Sequence, residues 1–489
     1  MQLSDVPTPA RRWVARGLVL VLVAGLVAPA ATDAATYDPS SEETTLQRGE
    51  IERPANGTTV ISVQGFKFAG EGNEKKPSRI VGVGPRGEVE WVHTGLGNGP
   101  SWFYDVDPLA NGNVLIVSIV ANQTTLVYEF DPVANETVWR QQLDARDTHD
   151  VDLINGDQLL VANMRDVNGT TGEEGAGLFV YDMGRDEVVW EFLFRNHYPE
   201  DVGGAYGKHT PYGWSHVNDV DKVANGSYLA SPRNFDQVIL VNRSRNEISL
   251  RLGRDENHDV VYEQHNPEYL EGVDGRPAIL VADSANDRVV EYALEDGEWV
   301  RTWTLGTGRN LTWPRDADRL PNGNTLVTDT NNHRVIEVTP SGEVVWEFYA
   351  PWGTYEAERM AHGDEPGGPT IAEQNATGAY EVTGSAGLAP GTGARLSFAD
   401  WVAVAFAGTP LREQAAWVAT RWSHVAPWVR PVWMTPWGFV YAIAAGVVLV
   451  AWAGAEAVLA RRRLVGGAAS LVRRGRDAGA DLVRERRGD

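Results

Sequence analysis

One motif recurs through the middle of the chain and limits the folds open to it. It reads Asp105-Val106-Asp107-Pro108-Leu109-Ala110-Asn111-Gly112, then Asp150-Val151-Asp152-Leu153-Ile154-Asn155-Gly156, Asp219-Val220-Asp221-Lys222-Val223-Ala224-Asn225-Gly226 and Asp316-Ala317-Asp318-Arg319-Leu320-Pro321-Asn322-Gly323. Each copy is an extended stretch, an Asn-Gly turn and a second extended stretch. That is a hairpin signal, because type I′ turns need positive φ at both central residues. A third strand follows, as in Arg288-Val289-Val290-Glu291-Tyr292 and Arg334-Val335-Ile336-Glu337-Val338. A fourth is marked by Trp91, Trp139, Trp190, Trp303 or Trp346, with Leu250 in the equivalent place. Four short strands at a period of about 45 to 60 residues describe propeller blades. Six fourth strands predict an all-β fold, a six-bladed β-propeller over 58–350. Chain rich in Gly, Tyr and His between about Asn168 and Trp214 reads as an insertion in the third blade. After Tyr349 the pattern stops, and 351–400 reads as a Gly/Pro-rich linker.

The ends carry a different signal. Arg11, Arg12 and Arg16 precede an apolar run from Gly17 to Ala31 that contains Ala28-Pro29-Ala30. Residues 1–35 therefore read as a secretory signal peptide, or else as an uncleaved N-terminal membrane anchor. A second apolar run, 437–459, is long enough to span a bilayer. Arg461, Arg462 and Arg463 follow it at once, and six more arginines lie in the tail 460–489. The positive-inside rule then places that tail in the cytoplasm and the propeller outside the cell membrane, with one or two passes. Trp401, Trp417, Trp422, Trp428, Trp433 and Trp437 crowd the segment 401–436 and its junction with the span, as interfacial aromatics do. Eight Asn-x-Ser/Thr sequons, at Asn56, Asn122, Asn135, Asn168, Asn225, Asn242, Asn310 and Asn375, suit an exported, glycosylated domain.

Charge narrows the partners. The formal net charge is −23. Away from the two basic ends, 31 basic residues face 59 acidic ones, a net charge of −28. Such a surface repels phosphates, so nucleic acid is not expected as a partner. Only five lysines occur, and a diffuse acidic, lysine-poor surface resembles that of halophilic, salt-adapted proteins. Cysteine is absent, which excludes disulfides, thiolate metal sites and a cysteine nucleophile.

The first strand of a propeller blade lines the central channel, so equivalent positions face one another across the axis. The position before the first aspartate of the repeat holds Tyr104, His149, Asn218 and Arg315, and His265-Asn266 aligns with His149-Asp150. His216 lies two residues before Asn218, which in an extended strand puts it on the same side. Tyr104, His149, His216, His265 and Arg315 thus form a candidate ring at one mouth of the channel. Three histidines suit zinc or copper, but a neighbouring arginine opposes a cation and favours an oxyanion. No metal or other cofactor is expected. The repeated Asp150, Asp219 and Asp316 read as turn and inter-blade hydrogen-bonding groups.

Two segments carry a resemblance. Trp214-Ser215-His216-Val217-Asn218, followed by Ser231-Pro232-Arg233, and Glu263-Gln264-His265-Asn266 resemble the signature segments of the arylsulfotransferase family, and Thr148-His149-Asp150 is similar to an earlier histidine motif of that family. The resemblance covers about 100–350. It implies a six-bladed propeller in which His265 is the nucleophile that takes up the sulfuryl group, while His149, His216 and Arg233 bind its oxygens. It also implies a small-molecule aryl sulfate as donor, a phenolic acceptor, and no nucleotide sulfate donor. Tyr104, Asn218 and Arg315 would complete the substrate pocket. The chain differs from the family at Asn266-Pro267, where Asp-Ala is more usual. Asn286-Asp287-Arg288-Val289 and Asn332-His333-Arg334-Val335 are similar to NHL-type propellers, and the alternative expectation is a non-catalytic, NHL-like binding or scaffolding module at the cell surface.

Overall fold

The computed structural model describes residues 8–37, 45–65, 76–96, 102–120, 123–164, 175–204, 213–272, 275–306, 310–389, 394–395, 398–431 and 433–485. Asn122, Asn168 and parts of the expected insertion and linker lie outside them. The chain forms two units, Asp38–Val432 and the terminal pair Met1–Tyr37 with Trp433–Asp489. Its helices are α1 (Thr8–Thr36), α2 (Phe398–Phe406), α3 (Arg412–Val429) and α4 (Pro436–Glu485).

The larger unit is a six-bladed, all-β propeller. The innermost strands are Trp102–Pro108 in blade two, Val151–Ile154 in blade three, Val217–Ala224 in blade four, His265–Glu271 in blade five and Pro314–Arg319 in blade six. Blade one takes its innermost strand from Thr354–Arg359, which pairs antiparallel with Thr59–Val63. The ring is therefore closed by chain that the sequence placed in the linker. Three residues beyond that strand, Gly378–Tyr380, pair parallel with Glu298–Leu305 on the outer edge of blade five, and Gln47–Ile51 covers Val344–Tyr349 on blade six. These extra strands satisfy edges that would otherwise be free to pair with another chain. The expected insertion at Asn168–Trp214 is smaller than its span. Gly177–Asp182 and Glu187–Leu193 within it are the third and fourth strands of blade three.

Turn chemistry differs from the type I′ expectation in most blades. Only Asn155-Gly156 has positive φ at both residues, 55° and 87°. At Asn111-Gly112 and Asn322-Gly323 the glycine alone does, because the hairpin is longer and the asparagine accepts from the N–H two residues on (Asn113 N to Asn111 Oδ1, 3.0 Å; Asn324 N to Asn322 Oδ1, 2.9 Å).

Six apolar clusters hold the ring, one between each pair of neighbouring blades. Leu115, Val127, Val151 and Val161 join blades two and three. Val83, Leu326, Trp346 and Ala357 join blade six to blade one, so the closing strand contributes to the core as well as to the sheet. The marker tryptophans of blades five and six are fully buried and capped by arginines. Arg319 lies 5.1 Å from the Trp303 ring and pairs with Glu291 at 3.1 Å, and Arg359 lies 4.7 Å from the Trp346 ring and pairs with Glu337 at 2.7 Å.

Trp401 and Trp417 are exposed, but Trp428, expected at the membrane interface, belongs to the propeller's own packing. Its indole N–H donates to Asn331 Oδ1 at 2.8 Å, and its carbonyl accepts from Lys76 Nζ at 2.9 Å. In the other unit, Arg12–Thr36 and Pro436–Arg461 are each long and apolar enough to cross a membrane. Arg16 forms two hydrogen bonds to the Glu456 carboxylate, at 2.8 and 2.7 Å, tying α1 to α4.

Candidate functional site

Irregular strand starts build the site. In blades two, four, five and six the innermost strand carries an extra residue near its beginning, seen as register shifts between Phe103 and Val106, Val217 and Val220, His265 and Pro267, and Pro314 and Asp316. A bulge re-aims side chains, so two consecutive residues can face the axis where a regular strand would offer one. The result is two layers. The upper holds Tyr104, His149, Asn218, His265 and Arg315 with Tyr355 from the closing strand, and the lower holds carboxylates.

In the upper layer, the rings of Tyr104 and His149 are 4.0 Å apart, those of His149 and His216 are 5.1 Å apart, and those of His265 and Tyr355 are 6.2 Å apart. The Arg315 guanidinium lies 4.7 Å from the Tyr355 ring and donates to Gln64 Oε1 at 2.8 Å. Tyr355 Oη hydrogen-bonds His149 Nδ1 at 3.0 Å, and Tyr104 donates to Asp147 Oδ1 at 3.0 Å. His216 reaches the group by another route than strand alternation. It precedes the strand and has φ +43°, so the period-two argument does not apply to it. Asn218, expected to touch substrate, donates to the Gln264 carbonyl at 3.0 Å. Gln264 in turn donates to Gln237 O at 2.6 Å and Ser231 Oγ at 3.2 Å, so Asn218 and Ser231 fix the backbone just before His265.

His265 is 1 % exposed. Its Nδ1 lies 3.0 Å from the Glu263 carbonyl and 2.8 Å from Ser284 Oγ. A carbonyl only accepts, and the Ser284 hydroxyl is directed to Pro314 O at 2.6 Å, so Nδ1 carries the proton. Nε2 therefore keeps its lone pair. Burial first, then the charges of Arg315 and Arg233 and the nearby His149, hold the His265 pKa well below the usual histidine range. Arg233 sits on a short turn, Arg233–Phe235, and its Nε and Nη2 donate to Asn234 Oδ1 at 3.2 and 3.1 Å. The sequence assigned no role to Tyr355, Ser284, Glu263 or Gln64.

In the lower layer Asp150 and Asp316 take the inter-blade role expected of them, whereas Asp219 Oδ2 finds no donor among the described residues. Asp105 accepts from Val151 N at 3.0 Å, Asp150 from Val220 N, Asp316 from Ala357 N at 3.0 Å and Glu356 from Val106 N at 2.6 Å. Each acid thus binds the backbone of the next blade. A further acid lies two residues on in each strand, and Asp152 and Glu268 repeat the pattern with Lys222 N at 2.8 Å and Arg319 N at 2.6 Å. Burial raises the pKa of Asp152 and Asp316 to about 7 and of Glu268 to about 8, and pushes Asp107, Asp150, Asp219 and Asp318 well above the carboxylate range. In the unfolded chain these groups ionise near pH 4. Between those limits the folded chain binds more protons, so its stability falls as pH rises. Buried histidines, His265, His93 and His333 foremost, act oppositely, since below the unfolded pKa only the unfolded chain takes up their protons, but the buried acids outnumber them. The melting temperature in chelator-containing buffer is expected to fall from about pH 5 to about pH 8; a constant or rising value would contradict the buried, proton-sharing layer.

No family model and no curated protein matches the chain. Among solved structures, it is similar to a protein of unknown function from Bacteroides caccae (13 % identity, TM-score 0.41, covering 62 % of this chain and 98 % of that one). It is also similar to a putative 6-phosphogluconolactonase from Bacteroides fragilis (14 %, 0.38, 62 % and 98 %) and to virginiamycin B lyase from Staphylococcus aureus in complex with quinupristin (11 %, 0.35, 62 % and 88 %).

Proposed function

We propose that the protein is a membrane-anchored sulfuryl transferase that moves a sulfuryl group from an aryl sulfate to a phenol through His265. The observation that carries this is the fixed tautomer of His265. Its Nδ1–H is held by Glu263 O and Ser284 Oγ, leaving Nε2 as an unprotonated nucleophile beside Arg233, Arg315 and His149. A neutral imidazole with a lone pair is a competent nucleophile near pH 7. In the first half-reaction the Nε2–S bond forms as the S–O bond to the donor phenol breaks, and the phenolate leaves with the electron pair. In the second, the acceptor's hydroxyl oxygen attacks sulfur, the N–S bond breaks, and the pair returns to Nε2. The acceptor's hydroxyl proton balances the one taken up by the first phenolate, so no net proton is released. Arg233 and Arg315 counter the charge on the transferring group and the leaving phenolate. No step needs a nucleotide or a metal.

The test is to incubate the detergent-solubilised full-length protein with p-nitrophenyl sulfate and a phenol. Release of nitrophenol that depends on the phenol is expected; none, across donors and salt levels, would exclude the activity.

The terminal helices support an outward-facing propeller with both ends of the chain in the cytoplasm. Arginines flank the end of each span that faces away from the propeller in sequence, at Arg11–Arg12 and Arg461–Arg463, which is where the positive-inside rule wants them if both helices stay in place. The Arg16–Glu456 pair favours retention of α1 as an anchor over its cleavage. The purified protein is then expected to keep its N-terminal residues in an intact-mass measurement, and a mature chain starting near Ala30 would contradict retention.

A further inference from the structure

The lower layer of the channel has a break in it. Around the ring each carboxylate accepts from the N–H one residue past the equivalent position of the next blade: Asp105 from Val151, Asp150 from Val220, Asp316 from Ala357 and Glu356 from Val106. By the same offset Asp219 should accept from residue 267. That residue is Pro267, which has no N–H to give. Asp219 is 5 % exposed, and its Oδ2 has no hydrogen-bond partner among the described residues. The next position round the ring, Asn266, turns its amide to Glu356 Oε1 at 3.0 Å. The sequence has therefore removed a donor from one buried carboxylate while keeping the carboxylate.

A buried, unpaired acid is costly unless something cationic meets it. None of the ion pairs between described residues involves the channel acids, and Lys222, in the same strand as Asp219, donates to Asn155 Oδ1. What surrounds Asp219 Oδ2 is more oxygen. One carboxylate oxygen each from Asp150, Asp219 and Asp221 lies within 4.8 Å of the other two. Calcium binds oxygens at 2.3–2.6 Å, so two of its ligands stand at most about 5 Å apart. The cavity that these residues line with Asp316, Glu356 and Asp364 measures about 10 Å³, which admits one water-sized species.

We infer that the propeller axis holds a divalent cation of the calcium class on Asp150, Asp219 and Asp221, one layer below the histidines. All three donors are hard carboxylate oxygens, and no histidine or thiolate joins them, which selects against zinc and copper. The cation stands in for the missing Pro267 N–H as the partner of Asp219, and it joins blades three and four at the axis. Its role is structural and independent of sulfuryl transfer.

The test uses the detergent-solubilised full-length protein, stripped with chelator and titrated with calcium chloride by calorimetry, with the melting temperature followed in parallel. Calcium is expected to bind at one site and to raise the melting temperature. Asp219→Asn should weaken binding by about 10- to 100-fold or more. Pro267→Ala restores the backbone donor and gives Asp219 a partner without removing any ligand, so it should weaken calcium binding while raising the melting temperature of the calcium-free protein. If Asp219→Asn fails to fold, Pro267→Ala decides the matter. No calcium binding in the wild type, or unchanged affinity in Pro267→Ala, would overturn the site. Because every readout is binding or melting, the result stands whether or not the protein transfers sulfuryl groups.

Discussion

Replacing His265 with asparagine is expected to abolish phenol-dependent nitrophenol release, by a factor on the order of 10⁴ or more, while leaving the fold intact. Loss of a covalent nucleophile removes the intermediate itself, and knockouts of such groups cost several powers of ten. Asparagine keeps a donor at the position of Nδ1, so contacts to the Glu263 carbonyl and Ser284 Oγ can survive, and the melting temperature should move little. Lys, in contrast, would bring a charge beside Arg315 and Arg233 into a site that already disfavours a cation. The companion Arg315→Met should leave a folded protein with a loss nearer 10²- to 10³-fold, the scale of removing one stabilising donor from a transition state. Equal activity in His265→Asn and wild type would mean that the ring binds and does not transfer.

The second large effect concerns ring closure. Ala357→Pro is expected to destabilise the propeller by about 3 kcal/mol or more, seen as a lower melting temperature. The residue sits in the closing strand, pairs with Ile61 of blade one, and donates its N–H to Asp316 Oδ2 of blade six at 3.0 Å. Proline deletes that donor at the inner edge of blade one and leaves the buried Asp316 Oδ2 with only the Thr328 hydroxyl, at 3.3 Å, among the described residues. The same substitution in a linker would do nothing measurable. A melting temperature within a degree or so of wild type would show that blade one closes in another way.

That strand also marks what the sequence could and could not disclose. The blades were legible because most of them repeat the acids and the turn, and of the inner-strand aspartates Asp150 and Asp316 bond across blades as expected while Asp219 does not. The closing strand went unread because it lacks the following Asn-Gly turn; its partner hairpin lies almost 300 residues earlier in the chain. A signal was present all the same. Tyr355-Glu356-Ala357-Glu358-Arg359 repeats Arg315-Asp316-Ala317-Asp318-Arg319 with Glu for Asp, and the two terminal arginines make matching pairs with Glu337 and Glu291. Reading it would have added Tyr355 to the site. Other features were beyond one-dimensional reasoning. The Nδ1 contacts of His265 to Glu263 O and Ser284 Oγ are set by a bulge and a turn, and His216 enters through a positive φ that strand periodicity does not describe. Pro267 stood out only as a departure from a family pattern. Its consequence for Asp219 needed the ring of backbone donors to be seen whole.

The most direct measurement is intact and peptide mass of the full-length protein after brief exposure to an aryl sulfate with no acceptor present. Transfer through Nε2 predicts a chain heavier by one sulfuryl group, with the adduct on the peptide that contains His265, labile to acid and discharged when a phenol is added. An adduct elsewhere, or nitrophenol release with no adduct on His265, would contradict His265 as the nucleophile.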